Sequence, residues 1–161
     1  MTIRLQTETL TAEALAPYGD LMDASGAPTK LINQGKCGRY HDQAALDFSD
    51  GRAGISIFKG EKETLPLSLQ MVERHPDGSQ AFVPMSADPF LVVVARDENG
   101  TPKDPKAFLT EPGQAINFHR GTWHGVLAPL SEPGLFAVVD RIGDGPNLEE
   151  HWFDESYIID K

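Results

Sequence analysis

The chain has 161 residues, enough for one domain, 1–161, with a buried core. Its 14 basic and 24 acidic side chains give a formal charge of -10, and a surface of that sign repels nucleic-acid backbones and anionic membranes, so neither is an expected partner. A lone cysteine, Cys37, excludes an internal disulfide and a thiolate zinc cluster; no apolar run reaches the roughly 20 residues of a membrane span and the N-terminus lacks a secretory signal, so the expected location is the cytoplasm.

Glycine and proline cut the chain into short pieces rich in β-branched and aromatic residues, the look of a mainly β domain. The segment TAEALAPYG, 11–19, is the helix candidate, with Thr11 as N-cap and Pro17 limiting it to a turn or two. GRYHD, 38–42, reads as a strand entering a barrel mouth or as a dimer contact, and it brings Arg39, Tyr40 and His41. GISIFKG, 54–60, and LSLQMVERH, 67–75, alternate as half-buried strands do, and QAFVPM, 80–85, follows after a turn. PFLVVVA, 89–95, is apolar on both faces and therefore central. RDENGTPKDP, 96–105, reads as a hairpin loop with its turn at Asn99-Gly100. QAINFH, WHGVLAP and LFAVVDRI complete the strands, and the C-terminal NLEEHWFDESYIID is expected as a short helix or strand along the outside, with His151 structural. Many short antiparallel strands mean a sandwich or a barrel, with a few short helices at the periphery.

Two polar clusters interrupt these strands. Leu67, Leu69 and Met71 set one face of their strand, and the same register carries Glu73 and His75 onto it. An unpaired buried carboxylate costs several kcal/mol, so either the strand bulges or that face opens into a polar cavity. A strand end running into solvent at the HPDG turn explains the segment equally well. The second cluster, NFHRGTWHGVLAP, 117–129, holds His119 and His124 on two strands joined by a tight turn at Arg120-Gly121, with Trp123 as a pocket wall; a hairpin with histidine caps is the plainer alternative.

Together the clusters resemble the two-part motif of the cupin superfamily, in which ligands from both parts converge on one metal inside a β-barrel. By position Glu73, His75, Gln80 and His124 occupy the four ligand places, Gly113 and Gly121 match, and His119 stands where a proline is usual. Two imidazoles and a carboxylate suit a divalent first-row ion, with Gln80 as a weak fourth ligand, and the same groups suit metal-free acid–base work. More narrowly, RYHD, ERHPDGSQAFVPM, PFLVVVA, NFHRGTWHGVL and VVDR, in this order along nearly the whole chain, resemble the ureidoglycolate lyase family. The resemblance implies a cupin-like antiparallel β-barrel, a cytoplasmic homodimer, and cleavage of (S)-ureidoglycolate to glyoxylate and urea in allantoin (purine) breakdown. It also implies association with a divalent metal, nickel being the one suggested, and no organic cofactor.

That reaction needs a base for the carbinol hydroxyl, an acid for the departing nitrogen and a cation for the substrate carboxylate. His75, His119, His124 and Glu73 are the candidates for proton transfer. Arg39, Arg74, Arg120 and Arg141 are the candidates for the carboxylate, with Tyr40, Gln80, Trp123 and Asp140 lining the site, Asp140 alternatively orienting a histidine. The competing functions are another small-acid cupin enzyme, an isomerase or dioxygenase, and a non-catalytic metabolite-binding cupin.

Overall fold

The computed structural model describes residues 2–161 and is 54% strand and 2% helix. In chain order, β1 (Ile3–Thr9) leads into α1 (Ala12–Leu15) and β2 (Gly19–Met22), and β3 (Lys30–Ile32) and β4 (Cys37–Arg39) follow. Then come β5 (Arg52–Gly60), β6 (Leu67–Arg74), β7 (Gln80–Pro84), β8 (Phe90–Glu98) and β9 (Thr101–Leu109). The last are β10 (Ala115–Phe118), β11 (Trp123–His124), β12 (Ala128–Pro129), β13 (Gly134–Ile142) and β14 (Glu149–Asp160).

Six strands close into a barrel in the order β11-β6-β14-β1-β9-β8, with β8 pairing back onto β11. Five more, β2-β10-β7-β13-β5, form a sheet packed against it. The arrangement is consistent with a cupin-like all-β fold. Pairing is antiparallel except at β1, which runs parallel to both β14 and β9. Among the described residues α1 is the one α-helix; Thr11 caps it, accepting from Ala14 N at 3.1 Å, as the sequence suggests. No helix among them is long and apolar enough to cross a membrane.

The barrel and the second sheet create two apolar layers. Leu69, Val72, Leu91, Val93, Trp123 and Ile159 fill the barrel. Phe82, Phe90, Val92, Val94, Phe108, Ile116, Phe118 and Val138 fill the space between barrel and sheet. β8 feeds both, Phe90, Val92 and Val94 to one side and Leu91, Val93 and Ala95 to the other, which is why it reads as apolar throughout. Each such side chain contributes about 1.5–3 kcal/mol when fully buried.

Asn99 and Gly100, at φ 53° and 84°, form the two-residue turn joining β8 to β9, the left-handed pair that an Asn-Gly hairpin requires. Three expectations need correcting. The C-terminal segment is not a cover along the outside: β14 is a stave of the barrel between β6 and β1, with Ile159 fully buried. Arg39 does not enter the barrel mouth; it ends β4 in a separate, exposed two-stranded ribbon with β3. And β10 and β11, though joined by a turn at Gly121 (φ 78°), do not pair: β10 joins the five-stranded sheet and β11 the barrel.

The last crossover matters for the site, and so does a break in β6. Leu67 and Leu69 pack with the barrel core, but the next inward residue is Val72, not Met71. The alternation slips by one residue opposite a register irregularity of β14 between Trp152 and Tyr157. Glu73 is thereby turned away from the barrel core and into the layer facing the five-stranded sheet.

Candidate active site

Two cross-strand rows face one another in that layer. On the barrel side His124 of β11 pairs directly with Glu73 of β6. On the sheet side Gln80 of β7 pairs with Phe118 of β10 and with Asp140 of β13. His75, just past the end of β6, joins them. One ligand atom from each of Glu73, His75 and His124 lies within 4.8 Å of the others.

Both imidazoles are held the same way. His75 Nδ1 donates to the Asn147 carbonyl at 2.8 Å, and His124 Nδ1 donates to the Gly125 carbonyl at 2.9 Å. A carbonyl only accepts, so each contact places a hydrogen on Nδ1 and leaves Nε2 to face the cluster. His75 Nε2 lies 2.9 Å from Gln80 Oε1; an amide oxygen also only accepts, so this contact requires either a second ring hydrogen, on Nε2, or a cation shared by the two atoms. His124 Nε2 is buried without a partner. The His124 ring stacks on Phe118, with centroids 4.2 Å apart and planes 6° from parallel, and lies 5.2 Å from the His75 ring.

Burial dominates the electrostatics. It lowers the His124 pKa from 6.5 to about 3, against the hydrogen bond to Gly125 and with the His75 charge adding, so the ring is neutral near pH 7. Burial also raises the Glu73 carboxyl; the charge of His75 opposes this and that of Glu150 reinforces it. Glu73 and Gln80 line a cleft of about 330 Å³ together with Phe58, Phe82 and Leu127.

The donors fit a divalent ion. An orphaned, buried Nε2 on a neutral imidazole is a lone pair in search of a partner, and a carbonyl on the opposite nitrogen is the usual support of a metal-bound histidine. Two imidazoles, one carboxylate and an amide oxygen are a borderline donor set suited to first-row metals.

The other sequence candidates lie elsewhere in the hydrogen-bond network. His119 Nε2 contacts Asp20 Oδ1 at 3.0 Å. Burial pushes the Asp20 carboxyl up, but hydrogen bonds from His119, the Ala45 N–H and Asn117 outweigh it and hold the group below its ordinary range. Arg74 is clamped by Asp97 and Glu149, at 3.0 and 2.7 Å, with its guanidinium 4.4 Å above the Trp123 ring, and Trp123 Nε1 donates to Asp97. Arg120 donates to the Pro76 carbonyl at 2.6 Å. Arg141, 4% exposed, reaches Asp50 at 2.6 Å, its guanidinium packed against Gly51 and Gly143. Tyr40 donates to the Gly26 carbonyl, Arg39 stands exposed on the ribbon, and His151 packs by its edge against Trp123 and Phe153. The contacts of Arg74, Arg120 and Arg141 are thus with protein groups. Asn147, Phe118 and Leu127 were not singled out in the sequence; only Phe118, inside the NFH segment, lies next to a residue that was.

A closed β-barrel with a polar chamber against a second sheet, holding a carboxylate and two imidazoles poised at Nε2, defines a barrel enzyme with a possible metal-binding triad. The comparison with known proteins narrows the class. The sequence model of the family described as ureidoglycolate lyase matches residues 2–160. The ureidoglycolate lyase of Rhodobacter capsulatus is 60% identical over 149 residues, 92% of each chain. That of Mesorhizobium japonicum is 52% identical over 158 residues, 97% of each chain, and ureidoglycolate lyase 2 of Rhizobium meliloti is 48% identical over 160, 98% of each. The chain belongs to the ureidoglycolate lyase family.

Proposed function

We propose that this protein cleaves ureidoglycolate to glyoxylate and urea, a step of purine (allantoin) breakdown, in the cleft that Glu73 and Gln80 line. Family membership supports the substrate; the observation that supports the site is the meeting of Glu73, His75 and His124 within 4.8 Å beside that cleft. The substrate is a carbinol whose central carbon bears a carboxylate, a hydroxyl and the nitrogen of a urea. Cleavage removes the hydroxyl proton, forms the aldehyde C=O, breaks the C–N bond and returns a proton to the departing nitrogen.

Glu73 is the group we assign to the proton. Its burial raises its proton affinity above that of an exposed carboxylate, the direction that suits a proton acceptor. Oxygen and nitrogen sit on the same carbon, so one carboxyl can take the proton from the first and deliver it to the second. His75, His124 and Gln80 would hold a divalent ion, nickel by family resemblance, with Glu73 adjoining the set. A bound cation would lower the hydroxyl's pKa and bind the carboxylate. Phe58, Phe82 and Leu127 limit water around the reacting carbon.

The test is product analysis with ureidoglycolate, on protein as purified and after chelation. Urea and glyoxylate in equal amounts support the lyase; ammonia in place of urea removes it. Loss of turnover on chelation with recovery on adding nickel supports the metal, and chelator-insensitive turnover removes it. We place this chemistry in one domain of a cytoplasmic homodimer. Ile55, Ile57, Val83 and Met85, exposed on the outer face of the five-stranded sheet, favour the dimer, which sedimentation of wild type against Ile57→Glu would test.

A further inference from the structure

Gln80 is the member of the cluster whose chemistry depends on which way round it sits. A carboxamide offers an oxygen on one side and an NH2 on the other, and a rotation of 180° exchanges them at almost no steric cost. Oxygen toward His75 and His124 adds an electron-pair donor to the set. The NH2 group in that place would present hydrogens to the same point and repel a cation.

The structure shows what sets the choice. Gln80 Nε2 donates to Asp140 Oδ2 at 3.1 Å. A carboxylate only accepts, so the NH2 must lie on the Asp140 side, and Oε1 is thereby aimed at His75 Nε2, 2.9 Å away. Asp140 and Gln80 are direct cross-strand partners of β13 and β7, and Gln80 is 6% exposed, so water is poorly placed to take over the role. Two donors bound at about 2.1 Å to one ion and at right angles lie about 3 Å apart, close to the separation of Oε1 and Nε2. Asp140 belongs to neither the triad nor the cleft lining and reaches both only through Gln80.

We propose that Asp140 is a positioning residue: it fixes the Gln80 amide with its oxygen toward His75, and so makes Gln80 an oxygen ligand. This rests on the reading of the cluster as a divalent-metal site. A consequence separates it from a merely structural role. A glutamate at position 80 offers oxygen on both sides and needs no orientation. Gln80→Glu should therefore rescue the loss of Asp140, although it restores nothing at position 140. With Asp140 present, the same change sets two carboxylates face to face.

The experiment is calorimetric titration of nickel(II) chloride into chelator-stripped wild type, Asp140→Ala, Gln80→Glu and the double variant, each first shown to be folded by its thermal transition. The expected result is that Asp140→Ala weakens nickel binding by about 10–100-fold, the usual effect of losing an outer partner of a ligand. The double variant should regain most of that loss and bind more tightly than Gln80→Glu alone. Wild-type affinity in Asp140→Ala, or a double variant as weak as Asp140→Ala, overturns the positioning role while leaving the metal site. Failure of wild type to bind nickel, manganese or zinc overturns the metal reading and the proposal with it.

Discussion

His124 should make the stability of this protein depend on pH in a way that one substitution removes. The ring is 1% exposed, and its pKa falls from 6.5 to about 3 on folding. Above pH 6.5 the ring is neutral in both folded and unfolded chains and contributes no pH dependence. Between 6.5 and 3 the unfolded chain takes up a proton that the folded one refuses, so stability falls as pH falls. The slope is about 1.4 kcal/mol per pH unit, and from pH 7 to 4.5 the ring spends two units in that window, a loss of about 3 kcal/mol. Glu73 acts in the opposite sense, since a raised carboxyl favours the folded state at low pH. The lowered carboxyls Asp20, Asp50 and Asp97 add an acid loss of their own. None of these shifts has His124 among its causes, so they cancel when wild type is compared with His124→Gln. The assay is urea unfolding of both proteins, stripped of metal, at pH 7 and 4.5. Wild type should lose about 3 kcal/mol more than His124→Gln over that interval. Equal losses would mean that His124 is not held neutral by burial.

Other outcomes follow from the same geometry. His75→Ala and His124→Ala should each keep a thermal transition yet lower kcat/KM at least ~10²-fold; near-normal turnover in both would remove the cluster from the chemistry. Glu73→Gln should lower kcat by a similar factor while leaving KM nearly unchanged, because it removes a proton acceptor and not a binding charge. Gly134→Ala should be destabilising by about 1–3 kcal/mol, read as a fall in the urea midpoint, because a Cβ there would sit 2.5 Å from the Gly60 carbonyl and 2.6 Å from Pro129.

Most of the fold is legible in the sequence, for reasons that are local. The Asn99-Gly100 turn, the Thr11 cap and the two-faced apolar run of β8 each carry their own signal within a few residues. Glu73, His75, Gln80 and His124 were legible as a set only because the spacing of the two clusters resembles a known motif. Alternation alone put Glu73 on the right segment and the wrong face, since the slip between Leu69 and Val72 answers to β14, some eighty residues further along. The arginines misled for a related reason. A guanidinium in sequence announces an anion but not which one, and Asp50, Asp97 and Glu149 lie 23 to 91 positions from the arginines they hold. Asn147 was invisible because its contribution to His75 is a backbone carbonyl, which every residue has.

The slip in β6 also divides the gene into places where length can and cannot change. Between Leu69 and Glu73 the number of residues decides which side chain faces the chamber: removing or adding one would exchange Val72 with its neighbour, push a carboxylate into the barrel and leave the chamber lined with valine. At Asn99-Gly100, where nothing lies beyond the turn but solvent, an insertion would only lengthen an exposed tip. A library of single-codon insertions should therefore show a sharp intolerant interval in β6 and a permissive one at the β8–β9 turn.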